Sequence, residues 1–351
     1  MKRFFTITGL FLAVLIVGYM LGPAAHPDGV KNELIKFNPD LIKLEQGIAD
    51  SERKANLRPD NEARIIWADS LRKIKTPFSI VYIPGFTASW AEGDPIHKQL
   101  AKRFGCNLYL VRTHGHGVDS PDALKDLTPA NYAGSAERAL AIGNALGDKV
   151  VVIGTSAGGM LALYLAAHHP NIHGLVVYSP CIAVANPALA LATKPWGRQI
   201  LEQAMGGDHV VNTNYKGGRA NYWLPQYHIN GLITLQTMLD QFMTPDQFEK
   251  VNQPVLMAYY YKDEDNQDKV VSVPAMLTMY DELGTPADKK RKQAFPEAGE
   301  HVIASHFTSG DLDGIYSATE KFMTDILKLP IVPATTPATV ALRENAGPTK
   351  K

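Results

Sequence analysis

The sequence predicts an α/β fold with a mostly parallel central sheet, helices on both faces and a helical insertion. Short β-branched and aromatic runs alternate with stretches of helical periodicity from residue 76 onward. These runs are apolar almost throughout, which is typical of parallel strands that are buried on both faces. One long interval in the alternation predicts the insertion.

Six runs are predicted as strands of this sheet, and the composition of residues 63–67 is that of an additional first, edge strand. The six runs are 78–83, 107–112, 149–153, 174–178, 254–261 and 291–295. Helical spacing between most of these runs predicts helices over 95–104, 129–146, 157–168, 273–284 and 312–328.

The interval between the fourth and fifth of these six strands holds 75 residues, too many for a simple crossover. Its Trp, Tyr, Met and Leu content predicts a mostly helical cap. A Pro, Ala and Thr-rich stretch at the C-terminus predicts a disordered tail. The segments are 26–75 (helical lead-in), 76–182 (first part of the core), 183–250 (cap), 251–328 (second part of the core) and 329–351 (tail).

Residues 1–25 are predicted to be a membrane anchor or a signal segment. Lys2 and Arg3 precede an uncharged run that is apolar through Leu21. This run exceeds the roughly 7–15 apolar residues of a signal peptide and approaches the about 20 that span a bilayer. We therefore predict membrane association through residues 4–21, with the rest of the chain outside the cytoplasm, on the periplasmic side in a bacterium. Cleavage and release of the remaining chain is the alternative.

The charge balance argues against a polyanionic partner. Lys and Arg together number 35, as do Asp and Glu, so the formal net charge is zero. No bulk field attracts nucleic acid, and none is predicted as a partner. Cys106 and Cys181 form no C-x-x-C motif, and two buried thiols are favoured over a single bridge.

The motif Gly154-Thr155-Ser156-Ala157-Gly158 is the central chemical signal. It follows a predicted strand directly and opens a predicted helix, the context of a nucleophile elbow. A sharp turn there lifts the serine to the carboxyl end of the sheet, where ligands bind in α/β folds. A Gly/Ser turn that merely begins a helix is the alternative. In the elbow context, Ser156 is predicted as the nucleophile.

An oxyanion hole requires two backbone N–H donors. The residue after the nucleophile, Ala157, is predicted to supply one of them. The turn Ile83-Pro84-Gly85-Phe86 follows an earlier strand, and Phe86 is predicted to supply the other. An ordinary Pro-Gly turn is the alternative for this segment.

A serine hydroxyl needs a general base, and His301 is the predicted one. It lies past the last predicted strand and before the final helix, in a loop expected at the same sheet edge as the elbow. His306 is the nearby rival.

The acid that orients the base should follow the strand 254–261, where four acidic residues stand close together. Asp268 is preferred, because Asp268-Lys269-Val270-Val271 leads into the next helix. Asp263 and Asp265 remain alternatives. The chain order serine, aspartate, histidine is the order expected for a nucleophile elbow.

His114-Gly115-His116 with Asp119 raises a metal-binding alternative, because His-x-His near an aspartate occurs in zinc sites. The aspartate stands one place late for the zinc-hydrolase motif, and no histidine follows it. No metal is therefore predicted.

Together these pieces resemble the α/β-hydrolase superfamily, nearest to its monoacylglycerol-lipase-like and carboxylesterase-like members. The resemblance covers about residues 76–328. Many lipases have His-Gly where this chain has Pro84-Gly85, and the earliest strands of the family are hard to find. The matching motifs are YIPGF (82–86), RTHGHG (112–117), GTSAGG (154–159), Asp-x-Val-Val (268–271) and GEHVIAS (299–305).

The resemblance implies an α/β-hydrolase fold with eight core strands and a cap before the acid-bearing strand. It implies hydrolysis of small-molecule carboxylic esters through an acyl-enzyme, with no cofactor. An apolar cap beside an anchor suggests lipid-like acyl esters. An acyltransferase with the same triad, a metal-dependent hydrolase centred on His114 and His116, and a non-catalytic binding protein are the alternatives.

Overall fold

The computed structural model describes residues 40–212, 215 and 217–333, together with 16–25, 29–31 and the single residues 5, 8, 13 and 34. The strands of the described residues are β1 (Arg64–Ile66), β2 (Thr76–Ile83), β3 (Asn107–Leu110), β4 (Gly147–Thr155), β5 (Gly174–Tyr178), β6 (His209–Val211), β7 (Gln226–His228), β8 (Val255–Tyr259) and β9 (Lys290–Ala294). The helices from residue 40 onward are α1 (Leu41–Lys54), α2 (Ile96–Phe104), α3 (Pro129–Leu146), α4 (Ala157–His168), α5 (Gly197–Met205), α6 (Asn230–Phe242), α7 (Pro245–Phe248), α8 (Val273–Glu282) and α9 (Leu312–Asp325).

The central sheet has the strand order β1-β3-β2-β4-β5-β8-β9. Every neighbouring pair is parallel except β1 with β3, which is antiparallel at the edge. This confirms the predicted mostly parallel sheet. The predicted helices also form, and α3 and α4 span the predicted residues.

The expectation of eight core strands is wrong for the described part of the chain, where the sheet has seven. The segment before β1 forms α1 instead of a further strand. Its apolar residues recur at helical spacing, and Leu44 and Ile48 are buried against the sheet layer.

The strand β4 shows why the inner strands of the sheet are largely apolar. Val150 and Val152 belong to one core cluster, and Val151 and Ile153 belong to the cluster on the opposite face. Alternate side chains of a strand point to opposite faces, so a strand covered on both sides needs apolar residues at every position. The two cysteines are buried and unbridged, as predicted.

The cap segment, residues 183–250, contains α5, α6 and α7 with two 3₁₀ turns, Pro187–Thr193 and Gly217–Asn221. It also contains the antiparallel pair β6–β7, which the sequence did not predict. Strands of three residues are too short to show a periodic pattern.

The cap segment contacts the loop that follows β2. Ala88 and Trp223 form an antiparallel bridge, and the Leu224 N–H donates to the Thr87 carbonyl at 2.9 Å. This pairing places one edge of the cap segment directly over that loop.

The predicted disordered tail, 329–351, is wrong for its first residues. Leu329 is buried in the core, and the Val332 N–H donates to the Arg103 carbonyl at 3.0 Å. Apolar contact and a backbone hydrogen bond therefore hold the chain beyond α9. Residues 334–351 lie outside the described residues.

Half of the predicted membrane segment, residues 4–21, falls outside the described residues. None of the helices in the described part of the chain combines the length and the apolar character needed to cross a bilayer. The extracytoplasmic location stays a prediction.

Candidate active site

Ser156 occupies the single residue between the end of β4 and the start of α4. Its backbone has φ 54° and ψ −119°, a conformation that costs free energy for any residue with a side chain. Two hydrogen bonds hold it: the Ser156 N–H donates to the Tyr178 carbonyl, and the Ser156 carbonyl accepts from the Cys181 N–H, each at 2.9 Å. The strand-turn-helix context of the elbow is thus present.

The glycines on either side of Ser156 are required by close backbone contacts. A Cβ on Gly158 would lie 2.0 Å from the Ile83 carbonyl oxygen, and one on Gly154 would lie 2.3 Å from the Gly158 carbonyl oxygen. Both distances are far below van der Waals contact. Gly158 is therefore needed for the elbow to pack against the end of β2, and Gly154 is needed for the turn to close on the start of α4.

Gly158→Ala is expected to destabilise the protein by roughly 1–3 kcal/mol, because the backbone of β2 must move to admit the methyl group. Urea unfolding measures this change. Gly134→Ala in α3 is the matched control, since a Cβ there meets no atom within 4 Å. It should be neutral or stabilising by less than about 1 kcal/mol. Equal unfolding free energies for the two variants would contradict the packing argument.

His301 and Asp268 form a buried pair at the carboxyl edge of the sheet. The His301 Nδ1 lies 2.6 Å from the Asp268 Oδ2. The Asp268 Oδ1 accepts the Val270 and Val271 N–H groups at 2.8 and 3.0 Å. Because these amides follow Asp268 in the chain, the loop after β8 holds its own carboxylate in place.

The charge of Asp268 follows from its surroundings. Burial by itself raises the pKa of Asp268, but the charge and hydrogen bond of His301 and the two amides together lower it below its usual range. Asp268 is therefore ionised at neutral pH and accepts Nδ1–H, so the Nε2 of His301 takes no part in the pair. Nε2 is buried and has no hydrogen-bond partner in the described structure.

The rival residues lie elsewhere. Asp263 and Asp265 are exposed, and the Asp263 Oδ1 accepts the Asn266 N–H at 2.8 Å within its own turn. His306 is exposed, with its Nδ1 3.1 Å from the Asp94 carbonyl. The geometry thus pairs Asp268 with His301 and leaves the alternatives outside the buried pair.

The turn that contains Phe86, one of the predicted oxyanion donors, lies against Ser156. A Cβ on Gly85 would be 3.0 Å from the Ser156 Cβ, so the turn after β2 touches the elbow. Among the described residues, neither the Phe86 nor the Ala157 N–H donates a hydrogen bond. Both predicted donors are therefore unpaired in the described structure, as an oxyanion hole requires.

His114 and His116 do not form a metal site in the described chain, where no three His, Cys, Asp or Glu side chains are grouped to hold an ion. His116 is buried and stacks on Tyr132 with ring centroids 5.7 Å apart, while His114 is exposed. Burial lowers the pKa of His116 to about 4, so the ring is neutral. It packs edge-on against Phe86 and supports the turn after β2.

Glu92 is a residue of this region that the sequence did not reveal. It lies in a 3₁₀ turn, Trp90–Gly93, is only 2% exposed, and accepts the Gly85 N–H. Burial raises the pKa of Glu92 to about 7, although the Gly85 hydrogen bond and the charges of His301 and Arg219 lower it. A single glutamate in a loop is usually exposed, so no local pattern indicates its burial.

Comparison with known proteins agrees with this geometry. Residues 80–312 match the model of the alpha/beta hydrolase family. A thermostable monoacylglycerol lipase from Bacillus sp. (strain H-257) is 32% identical over 114 residues, which are 32% of this chain and 44% of that protein. The match therefore spans less than half the length of that relative.

Solved structures show the same fold. A structure from work on the metagenome-derived lipolytic enzymes LipS and LipT has a TM-score of 0.62 at 18% identity, covering 77% of this chain and 99% of that one. A monoacylglycerol lipase from Paleococcus ferrophilus has a TM-score of 0.54 at 15% identity, covering 75% and 99%. A soluble variant of monoglyceride lipase from Saccharomyces cerevisiae, in complex with a substrate analogue, has 0.56 at 12%, covering 78% and 92%.

The parallel sheet with a serine elbow at its carboxyl edge defines an α/β protein of the hydrolase type. The chain belongs to the alpha/beta hydrolase family, whose model matches two thirds of its length. Within that family it is similar to monoacylglycerol lipases, as the sequence motifs indicated.

Proposed function

We propose that this protein is a serine hydrolase that cleaves carboxylic esters, with Ser156, His301 and Asp268 as its triad. The buried Asp268–His301 pair is the observation that carries the proposal, because the His301 Nε2 has no hydrogen-bond partner among the described residues. A general base that the fold itself leaves unpaired is available to accept a proton from a nucleophile.

In this mechanism His301 Nε2 removes the proton from the Ser156 hydroxyl as its oxygen attacks the ester carbonyl. The Phe86 and Ala157 amides donate to the oxyanion that forms. His301, whose positive charge Asp268 stabilises, then returns the proton to the leaving alcohol. Water attacks the acyl-enzyme by the same route, which releases the acid and restores Ser156.

The substrate class that we favour is an ester with an apolar acyl chain. The monoacylglycerol lipase from Bacillus sp. is the relative that supports it. A cleft of about 480 Å³ between the loop after β5 and helix α6 also supports it, because its walls include Ile182, Val184, Leu239 and Met243. Val184 bridges to Val271, three residues after Asp268, so this cleft adjoins the acid loop.

Fluorophosphonate labelling of the full chain, followed by hydrolysis of p-nitrophenyl esters of rising chain length, tests the proposal. We expect covalent labelling and a higher kcat/KM for acyl chains longer than acetyl. Absence of labelling in folded protein would contradict the serine mechanism, and a preference for acetyl esters would contradict the apolar acyl class.

The same assay separates the other activities. Hydrolysis should continue unchanged in the presence of a chelator, whereas a metal-dependent hydrolase would lose activity. Added alcohol should leave the yield of free acid largely unchanged, whereas an acyltransferase would divert the acyl group to the alcohol.

A further inference from the structure

Glu92 and Ser156 both lie against Gly85. A Cβ on Gly85 would be 2.8 Å from the Glu92 Oε1 and 3.0 Å from the Ser156 Cβ. The Glu92 carboxylate accepts the Gly85 N–H, for which no other acceptor is present in the described chain. The turn that lies against Ser156 is therefore held by one buried carboxylate.

The turn needs such an anchor. Pro84 has no N–H to donate, and the only backbone hydrogen bond closing the turn is from the Ala88 N–H to the Gly85 carbonyl, at 3.2 Å. Thr87, the third residue of this turn, has φ 67°, a conformation that glycine tolerates and threonine adopts at a cost. A strained turn keeps one geometry only if its surroundings hold it.

We propose that Glu92 is a positioning residue of the reaction, which holds the Gly85 amide so that the neighbouring Phe86 amide stays free and directed at the oxyanion. This inference rests on the proposed function, since it assigns a role within the same oxyanion hole. The Phe86 N–H belongs to the peptide unit that follows the one hydrogen-bonded to Glu92. Rotation of the Pro84–Gly85 peptide would therefore displace the Phe86 N–H.

Contacts on other elements join Glu92 to both halves of the site. Tyr82 on β2 interacts with Glu92, and its hydroxyl lies 3.1 Å from the Thr155 Oγ1, next to Ser156. Trp223 of the cap segment favours the ionised form of the same carboxylate and so lowers its pKa. Arg219 of the cap segment pairs with Glu300 at 2.6 Å, beside His301.

The charge of Glu92 adds a second effect. Four titratable or charged groups face it from the surrounding elements: Tyr82, Tyr132, Arg219 and His301. Because burial raises the pKa of Glu92 to about 7, the carboxyl group ionises as the pH rises through neutrality. The ionised form accepts the Gly85 N–H more strongly and favours the positive charge that His301 gains during proton transfer.

Glu92→Leu and Glu92→Gln in the full chain test this role. The leucine variant should lower both kcat for p-nitrophenyl butyrate and the rate constant of fluorophosphonate labelling by roughly 10²-fold, with little change in KM, as for loss of an oxyanion donor. The glutamine variant keeps an oxygen that accepts the Gly85 N–H and should stay within about fivefold of wild type. The activity ratio of wild type to glutamine variant should rise about two- to fivefold across the pKa of Glu92, since only wild type gains charge there.

Glu137→Leu is the matched control, because Glu137 is equally buried but binds Tyr164 and His169 away from the turn. It should lower the Tm without changing kcat. A folded Glu92→Leu protein that labels within about threefold of wild type would overturn the inference. If Glu92→Leu does not fold, the glutamine variant decides. An activity ratio of wild type to Glu92→Gln that does not change with pH would overturn the inference, as would a loss of activity above about tenfold in Glu92→Gln. Activity that persists in Ser156→Ala would overturn the proposed function itself, which is a separate outcome.

Discussion

Ser156→Ala is expected to lower kcat for ester hydrolysis by at least about 10⁴-fold and to abolish fluorophosphonate labelling. The hydroxyl oxygen is the only atom of this side chain that can form the acyl-enzyme. Backbone groups of Ser156, not its hydroxyl, make the hydrogen bonds to Tyr178 and Cys181, so the elbow should keep its geometry in the variant. KM and Tm are therefore expected to change little.

Ser179→Ala is the matched control for this experiment. Ser179 is likewise a buried serine with positive φ, 42°, directly after the neighbouring strand β5. Its removal should leave kcat and labelling near wild type. Comparable activity in Ser156→Ala and Ser179→Ala, measured on folded protein, would eliminate Ser156 as the nucleophile.

Asp268→Asn is expected to lower kcat by about 10³- to 10⁴-fold. Asparagine has nearly the same shape and can still meet the amides of Val270 and Val271. It lacks the negative charge that favours Nδ1–H on His301 and stabilises the ring once it is protonated. The loss should appear in kcat far more than in KM, because the charge matters most in the transition state.

Asp263→Asn is the control that separates the acidic residues of this loop. The Asp263 carboxylate is exposed and bonds only within its own turn, so its neutralisation should leave kcat within about twofold of wild type. A larger loss in Asp263→Asn than in Asp268→Asn would show that the pair seen at 2.6 Å is not the working one.

The elbow was predictable because its signals are local in sequence. Residues 147–168 contain, in order, a buried strand, a Gly-x-Ser-x-Gly turn and a helix that is apolar on all sides. The strand, the turn and the helix are each favoured by their own residues, and the three preferences are compatible with one another. His301 was predictable for a related reason, since its loop follows the last strand of a parallel sheet and must open at the same edge.

Other features depend on segments that are far apart in the chain. Four neighbouring carboxylates looked equivalent in sequence, and only the packing of the loop around Val270 and Val271 turns Asp268 toward His301. Glu92 shows no pattern at all, because its burial results from the cap segment closing over its loop. The short pair β6–β7 likewise forms only by mutual hydrogen bonding.

The sequence by itself determined the parallel α/β architecture, the strand-turn-helix at Ser156 and the loop that carries His301, since these follow from periodicity and turn chemistry within short segments. Only the tertiary structure decided that Asp268 is the partner of His301 and that Glu92 lies buried against the turn beside Ser156. Such pairings are set by which surfaces meet when distant segments pack, and burial then changes the charge and hydrogen bonding of the groups that meet.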